Sequence, residues 1–562
     1  MTCRAAFAAL LLVAVATGAR ADATFTYVHT LNPRLRSGAV VLDVRPLGEC
    51  QKGTIAGARC MPAVDFLGPH GRLVSFRHIL WLLGSVGLSG TEQVVVVGDH
   101  AEVRDFVAGL LYLAGQRSVQ VLTRSLSGGA GVPASAFGAP SRVPGPMRNP
   151  VYQGRVRDQL IVLRGELARD LRGADPPVLL DGRSEKEYWG IDIRAQRGGH
   201  IPGARRLPAA TLRAELAQGH AQVPPLHDPV AYANGPFSSV AYFTLLRAGT
   251  GLRARVYIDG WQAWAADGAL AVDSATYPTP GASPASHPAM HPSPSPPAGV
   301  STLKWVAVGL LAALAALILV GAGFLWGRRR GPQRAARAVV AVAVAGALLG
   351  AVPRTGLAQS ASARRLSVEF EIMLGNVHLV NDPHTGDLQR KGLRARLSSA
   401  LSYLGITARR YLDERGVQDP HLLAQVGALR RAYAAGQMEA FRALLQSLVD
   451  RYPVDLRGIL PLRVTPMRVR SGRRLYQHMC MACHAVSDPA QEYPAPDLFH
   501  WAHIMPRREF AARLMGGVVG NFYTSLENPL SDEQLASLFA LFVTGKTTHS
   551  ATAPAAQSAS QP

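Results

Sequence analysis

PVLLDGR at residues 177–183 and AVVLDVR at residues 39–45 share one plan: branched apolar residues, then Asp, a spacer and Arg. Apolar runs of this length without polar alternation read as buried strands of a parallel sheet. The likeness extends outward in order. GGHIPGARRLP (198–208) answers KGTIAGARCMP (52–62), and PVAYAN (229–234) answers VVVVGD (94–99). RARVYIDGWQAW (253–264) closes the second copy, while VQVLT (119–123) is a further strand of the first. A helical stretch, 103–113, lies between strands, so strands alternate with helices as in a small sheet covered on both faces. The internal repeat predicts two related α/β units, 25–125 and 155–272. Residues 124–154, rich in Gly, Pro and Ser, connect them.

On these residues the chain resembles the rhodanese-like sulfurtransferases in their two-domain thiosulfate/mercaptopyruvate form. The markers are Asp43-Val44-Arg45, Gly53-Thr54-Ile55-Ala56-Gly57-Ala58, Asp181-Gly182-Arg183, His200-Ile201-Pro202-Gly203-Ala204, and Asp259-Gly260-Trp261 with Trp264. The resemblance implies a catalytic cysteine opening the loop after a central strand, where backbone N–H groups and a helix N-terminus stabilise a thiolate or persulfide. Here that loop reads Tyr232-Ala233-Asn234-Gly235-Pro236-Phe237-Ser238-Ser239. Ala233 stands at the cysteine position and has no nucleophile. Pro236 removes an amide donor, leaving Asn234, Gly235 and Ser238 in a degenerate loop. Asp99 holds the matching place in the first unit, as in the non-catalytic half of two-domain relatives. The expectation is a binding or packing module without sulfur transfer, since site chemistry outranks fold.

A second motif is Cys480-Met481-Ala482-Cys483-His484. Cys-x-x-Cys-His is the attachment signature of one covalent haem c: two thiols on one helical turn form thioethers, and His484 becomes the proximal iron ligand. A redox Cys-x-x-Cys or half of a zinc site is less consistent, because no other cysteine lies in the C-terminal half. Residues 470–546 resemble small class I cytochromes c, with a closing helix over 531–542 opened by Ser531. That resemblance implies an axial methionine shortly before the last helix, where this chain has Leu526, which cannot coordinate iron. Met505, Met515, His500 and His503 remain as distal candidates, beside an open iron position. Residues 366–462 read as an all-α segment with helices over 393–412, 422–433 and 438–449.

The chain has 562 residues, 48% of them hydrophobic, ample for several cores. Its formal charge of +21 comes from 59 Lys and Arg against 38 Asp and Glu. Lysine occurs only at Lys52, Lys186, Lys304, Lys391 and Lys546, so the excess is arginine spread through every segment, without the aromatic interleaving of a nucleic-acid surface. Acidic protein surfaces or anionic lipid suit it better. Residues 1–21 have the pattern of a signal peptide. Of the five cysteines this leaves Cys50 and Cys60, between which an exported chain permits a disulfide that their spacing leaves open. A Pro-rich linker spans 274–301. Residues 305–326 predict a transmembrane helix followed by Arg328, Arg329 and Arg330, and 336–358 a second hydrophobic segment, either transmembrane or an internal signal. A low-complexity tail covers 551–562.

The sequence therefore predicts a multidomain chain: two rhodanese-like α/β domains, one or two transmembrane segments, an all-α segment and an all-α cytochrome c domain. The expected function is one-electron transfer linked to sulfur-compound metabolism, at a bacterial inner membrane with the large domains in the periplasm. Its expected partners are a redox protein or respiratory complex, and a sulfur anion or sulfur-carrier protein. A haem-based ligand sensor and a haem enzyme oxidising a sulfur substrate are the alternatives.

Overall fold

The two Asp-x-Arg runs form interior strands of two separate sheets. Val40–Asp43 lies between Gln93–Val97 and Arg59–Cys60, and the first sheet continues through Ser118–Leu122 to Thr24–Val28. Leu179–Asp181 lies between Val230–Tyr232 and Arg205–Arg206, and the second continues through Arg255–Tyr257 to Ile161–Val162. All pairings within these two sheets are parallel, and the spatial order is the same in both. Val94 to Val97 are fully buried, which is why the run carries no polar alternation. The computed structural model describes residues 24–31, 38–128, 132–144, 150–219, 221–274, 359–485, 495–524 and 526–545. The expected signal peptide, Pro-rich linker, both hydrophobic segments and the low-complexity tail lie outside the described residues.

The two units meet through the helices Ala101–Leu113 and Pro236–Thr244. Gly109 makes the approach feasible, since a Cβ there would lie 2.6 Å from Val240 Cγ1 and from Thr244 Oγ1. Thr244 Oγ1 donates to the Asp105 carbonyl at 2.8 Å, and the Phe106 and Phe237 rings lie 4.8 Å apart. The connector contributes more than the expected loop: Phe137–Gly138 pairs antiparallel with Thr54–Ile55.

Cys50 and Cys60 form a disulfide, both fully buried. It ties the helix Leu47–Lys52 to the strand Arg59–Cys60. Closing a loop of this size is worth about 2–3 kcal/mol through the unfolded chain. Cys50→Ser with Cys60→Ser should lower the urea midpoint accordingly, while reductant should leave the double variant's midpoint unchanged.

Beyond residue 359 the described chain is helical. Asp387–Arg415 ends on Gly416 at φ 62°, the left-handed C-terminal position where glycine costs least. Pro420–Ala434 starts on Asp419, whose side chain accepts from the Leu422 N–H, with proline at the first turn. Met438–Arg451 follows, and Ala361–Asn381 packs against Asp387–Arg415, Met438–Arg451 and Arg507–Gly517. The last helices, Pro466–Met479 and Asp532–Thr544, cross over a second apolar core with Leu498–Ile504. Ser531 caps the final helix by accepting from the Gln534 N–H.

Asp387–Arg415 also clamps the second α/β unit. Arg409 donates to Glu166 and to the carbonyls of Asp158 and Ile161, and Arg410 grips Asp259 at 2.7 and 2.9 Å. Asp413 accepts the Gly165 N–H at 2.8 Å.

The expected transmembrane component of the fold is corrected. Among the described residues no helix is long and apolar enough to cross a membrane. The longest, Asp387–Arg415, is broken by Arg390, Lys391, Arg394 and Arg396, charges that a hydrocarbon layer would not accept. The stretches for which spans were expected, 305–326 and 336–358, lie outside the described residues. The architecture is an α/β region followed by a helical C-terminal part.

Candidate functional site

Val230–Tyr232 delivers the chain into the loop 233–239 at the start of the helix Pro236–Thr244. Ala233 presents a buried methyl, and the loop satisfies its own amides. The Ala233 N–H donates to Ser239 Oγ (2.9 Å), the Gly235 N–H to Ser238 Oγ (3.2 Å) and the Ser239 N–H to the Gly235 carbonyl (2.8 Å). Pro236 has no N–H, which leaves Asn234, Phe237 and Ser238 as the remaining amides. The other edge is stitched by Trp261 N–H to the Ala233 carbonyl and Gln262 N–H to the Asn234 carbonyl, both 2.8 Å. Gly260, at φ 67°, has to be glycine: a Cβ there would lie 2.7 Å from the Ala233 oxygen.

Asn234 donates through Nδ2 to Glu187 Oε1 at 2.8 Å. Burial acts to raise the Glu187 carboxyl, but the Ser184 and Asn234 hydrogen bonds outweigh it and hold the group below its ordinary range. Beneath the loop, Arg183 pairs with Asp181, donates to the Gly199 carbonyl and sits 4.5 Å over the Trp261 ring. The matching loop of the first unit is closed from within as well. Asp99 accepts from the Ser127 N–H and the Ser125 hydroxyl, and Arg104 donates to the Gly98 and Thr123 carbonyls.

Residues 164–267 match the family model of the rhodanese-like domain. The second α/β unit is a rhodanese-like domain. No curated protein matches the chain. Among solved structures, a probable thiosulfate sulfurtransferase shares 26% identity over 42% of this chain and 97% of its own, with a TM-score of 0.31. YnjE shares 19% over 44% of this chain and 68% of its own, with a TM-score of 0.37. Wild-type EanB shares 18% over 45% and 64%, with a TM-score of 0.35.

In the rhodanese-like domain, restoring the missing nucleophile should not restore sulfur transfer. Ala233→Cys would place a thiol in a loop where the Gly235 and Ser239 amides are already bonded and Pro236 has none, so its persulfide would have fewer than the usual donors. Cyanide-dependent thiocyanate formation from thiosulfate should stay at background in that variant.

The second candidate site lies in the helical part. Cys480 is buried and Cys483 half-buried, and both thiols are free. The turn Met481–His484 is set by the Cys483 and His484 N–H groups donating to the Cys480 carbonyl, at 3.1 and 2.9 Å. Burial, with the Cys483 sulfur nearby, pushes the Cys480 thiol up to about 11, which suits a buried thiol better than a reactive redox thiolate. His484 Nδ1 lies 2.8 Å from the Pro496 carbonyl oxygen. A carbonyl only accepts, so Nδ1 carries the proton and the Nε2 lone pair is left for another partner.

The distal candidates separate. Met505 and Met515 are buried in the core that also contains Cys480. His500 and His503 are exposed on Leu498–Ile504, with His503 Nδ1 2.7 Å from the Phe499 carbonyl oxygen. Leu526, at φ 59°, packs its side chain towards the larger core shared with the α/β units. Among the described residues no group of three or more His, Cys, Asp or Glu side chains could hold a metal ion. The expectation of a metal-binding protein, with His484 as ligand and a distal partner from Met505, Met515, His500 or His503, is corrected to this extent: the described residues hold no such metal-binding group. The exposed histidines of Leu498–Ile504 do not complete one.

One feature escaped the sequence. A cavity of about 250 Å³ opens where residues 75–78, the helix Ala361–Asn381 and residues 515–530 converge, lined among others by Arg77, His78, Glu369, Tyr403 and Met515. Arg77 pairs with Glu369 and donates to the Gly516 carbonyl, and Tyr403 donates to Glu369 at 2.7 Å. Its members lie hundreds of residues apart, and no local pattern marks them.

Proposed function

We propose that the protein is a one-electron carrier with covalent haem c at Cys480 and Cys483, in which the α/β region serves as a non-catalytic docking or anion-binding module of sulfur-compound metabolism. The observation that carries this reading is His484: its ring is pinned through Nδ1 to a backbone carbonyl, directly after two free thiols on one turn. That second contact is the usual means of orienting an imidazole towards a metal. Cys480 and Cys483 would form the thioethers, and His484 Nε2 would face the iron as proximal ligand. When bound, the haem would supply a reversible one-electron couple. The chain's own residues bury Cys480 in the core of Pro466–Met479 and Asp532–Thr544, while Met481 and Ala482 on the same turn face outwards.

The first α/β unit, with the same strand order as the second, is proposed to be a second rhodanese copy. Ala233, together with amides already bonded at Gly235 and Ser239 and absent at Pro236, favours binding over sulfur transfer. The Cys50–Cys60 disulfide supports an oxidising, extracytoplasmic compartment such as the periplasm. The test is a peroxidase stain on denatured, acid-acetone-washed protein from a host competent in cytochrome maturation. Wild type should stain and show a Soret band, and Cys480→Ala with Cys483→Ala should do neither. A wild-type protein without stain would remove the electron-carrier reading.

A further inference from the structure

The helix Pro466–Met479 turns one face onto Asp532–Thr544 and leaves the other open. Met467, Arg470, Arg474 and His478 follow one another at three- and four-residue steps, so they form a single stripe that runs up to the cysteine motif, where Met481 opens the next turn. All five are exposed, Met467 at 73%, and Arg473 is exposed beside them. No acidic residue occurs from 462 to 485. Arg468, on the flank, is paired with Glu533, but among the described residues Arg470, Arg473 and Arg474 enter no ion pair. Arg409 and Arg410, by contrast, are each committed to a carboxylate.

We propose that this stripe docks an acidic protein partner. The proposal rests on the electron-carrier reading, because it places the partner beside the attachment motif. Clustered unpaired guanidinium groups repel one another in the free protein, and a complementary acidic surface relieves that while steering encounter. The exposed methionines supply an adaptable apolar contact at both ends of the charge. A nucleic acid fits less well, because the stripe offers no aromatic side chain for stacking.

The test uses the full-length protein and an oligoglutamate peptide as the acidic probe, with binding measured at low and physiological salt. Arg470→Glu with Arg473→Glu and Arg474→Glu should weaken binding by about tenfold or more, and the three Arg→Gln changes by less. A control, Lys391→Glu with Arg394→Glu and Arg431→Glu, makes the same charge change at exposed positions of other helices and should stay within about twofold of wild type. Equal losses in the two Glu triples would overturn the proposal, as would tighter, stripe-dependent binding of duplex DNA. If stripe-specific binding persists in a protein that fails the peroxidase stain, the docking face stands and the carrier reading falls. If the stain is present and the triples behave alike, only the docking face falls.

Discussion

Asp181→Ala is expected to destabilise the protein by about 3–5 kcal/mol, the usual cost of breaking a buried ion pair from one side. In a unit of this size that corresponds to a melting temperature lower by roughly 10–25 °C. The pair is the most enclosed in the molecule's α/β region: the Arg183 side chain is 2% exposed and Asp181 is fully buried. Asp181 accepts the Arg183 N–H and two of its guanidinium nitrogens, so alanine leaves a charge held by the Gly199 carbonyl and the Trp261 and Tyr232 ring faces, with no carboxylate. The equivalent change in the first unit, Asp43→Ala, should cost less. Arg45 is 13% exposed, and Asp99 stands 4.0 Å away as a second carboxylate. Combining Asp181→Ala with Arg183→Met should recover part of the loss, since the stranded cation is then gone. Thermal unfolding checks all three, and a loss below about 1 kcal/mol for Asp181→Ala would mean that water reaches Arg183.

The same residues show how much a sequence exposes and where it stops. Asp-x-Arg was visible twice as a marker, and the strands around it were legible because unbroken Val and Leu runs suit only a strand buried on both faces. What the marker does was not legible, since the Arg183 that pairs with Asp181 is held by Trp261 and Gly199 from other parts of the chain. Helix existence was plain from spacing in the C-terminal part. Helix ends were less so: the expected 393–412 became Asp387–Arg415, because Gly416 rather than the last apolar residue stops it. Arginine was read as a scattered compositional excess, yet Arg197 alone donates to the carbonyls of Trp264, Ala265, Asp267 and Leu270 and fastens that turn. A guanidinium that closes a loop looks, in one dimension, the same as one in solvent. The Cys480–His484 turn was visible in the sequence as a motif, whereas the Pro496 carbonyl that fixes the His484 tautomer was not, because proline offers no side-chain signal for it. The junction cavity was illegible for the same reason of distance.

Gly472→Ala is expected to cost about 3 kcal/mol, the upper end of the overpacking range, and more in its consequences than in its size. Gly472 lies on Pro466–Met479 where that helix crosses Asp532–Thr544. A Cβ there would fall 2.1 Å from the Ser537 carbonyl oxygen and 3.0 Å from Leu541 Cβ. The obstacle is backbone, which cannot rotate away as a side-chain tip could, so the helices must separate. Separation would open the T-shaped contacts of Tyr476 and Phe499 with Phe542, at 5.7 and 5.1 Å, that fill the crossing. Because Cys480 sits at the end of the same helix, the turn Met481–His484 moves with it. Under the carrier reading, Gly472→Ala should therefore weaken the peroxidase stain as well as lower the melting temperature. Ser471→Ala, one residue away and not in the crossing, should change neither. A Gly472→Ala protein that melted like wild type would show that the helices can slide apart without loss, and the close crossing would then have no part in holding the cysteine turn.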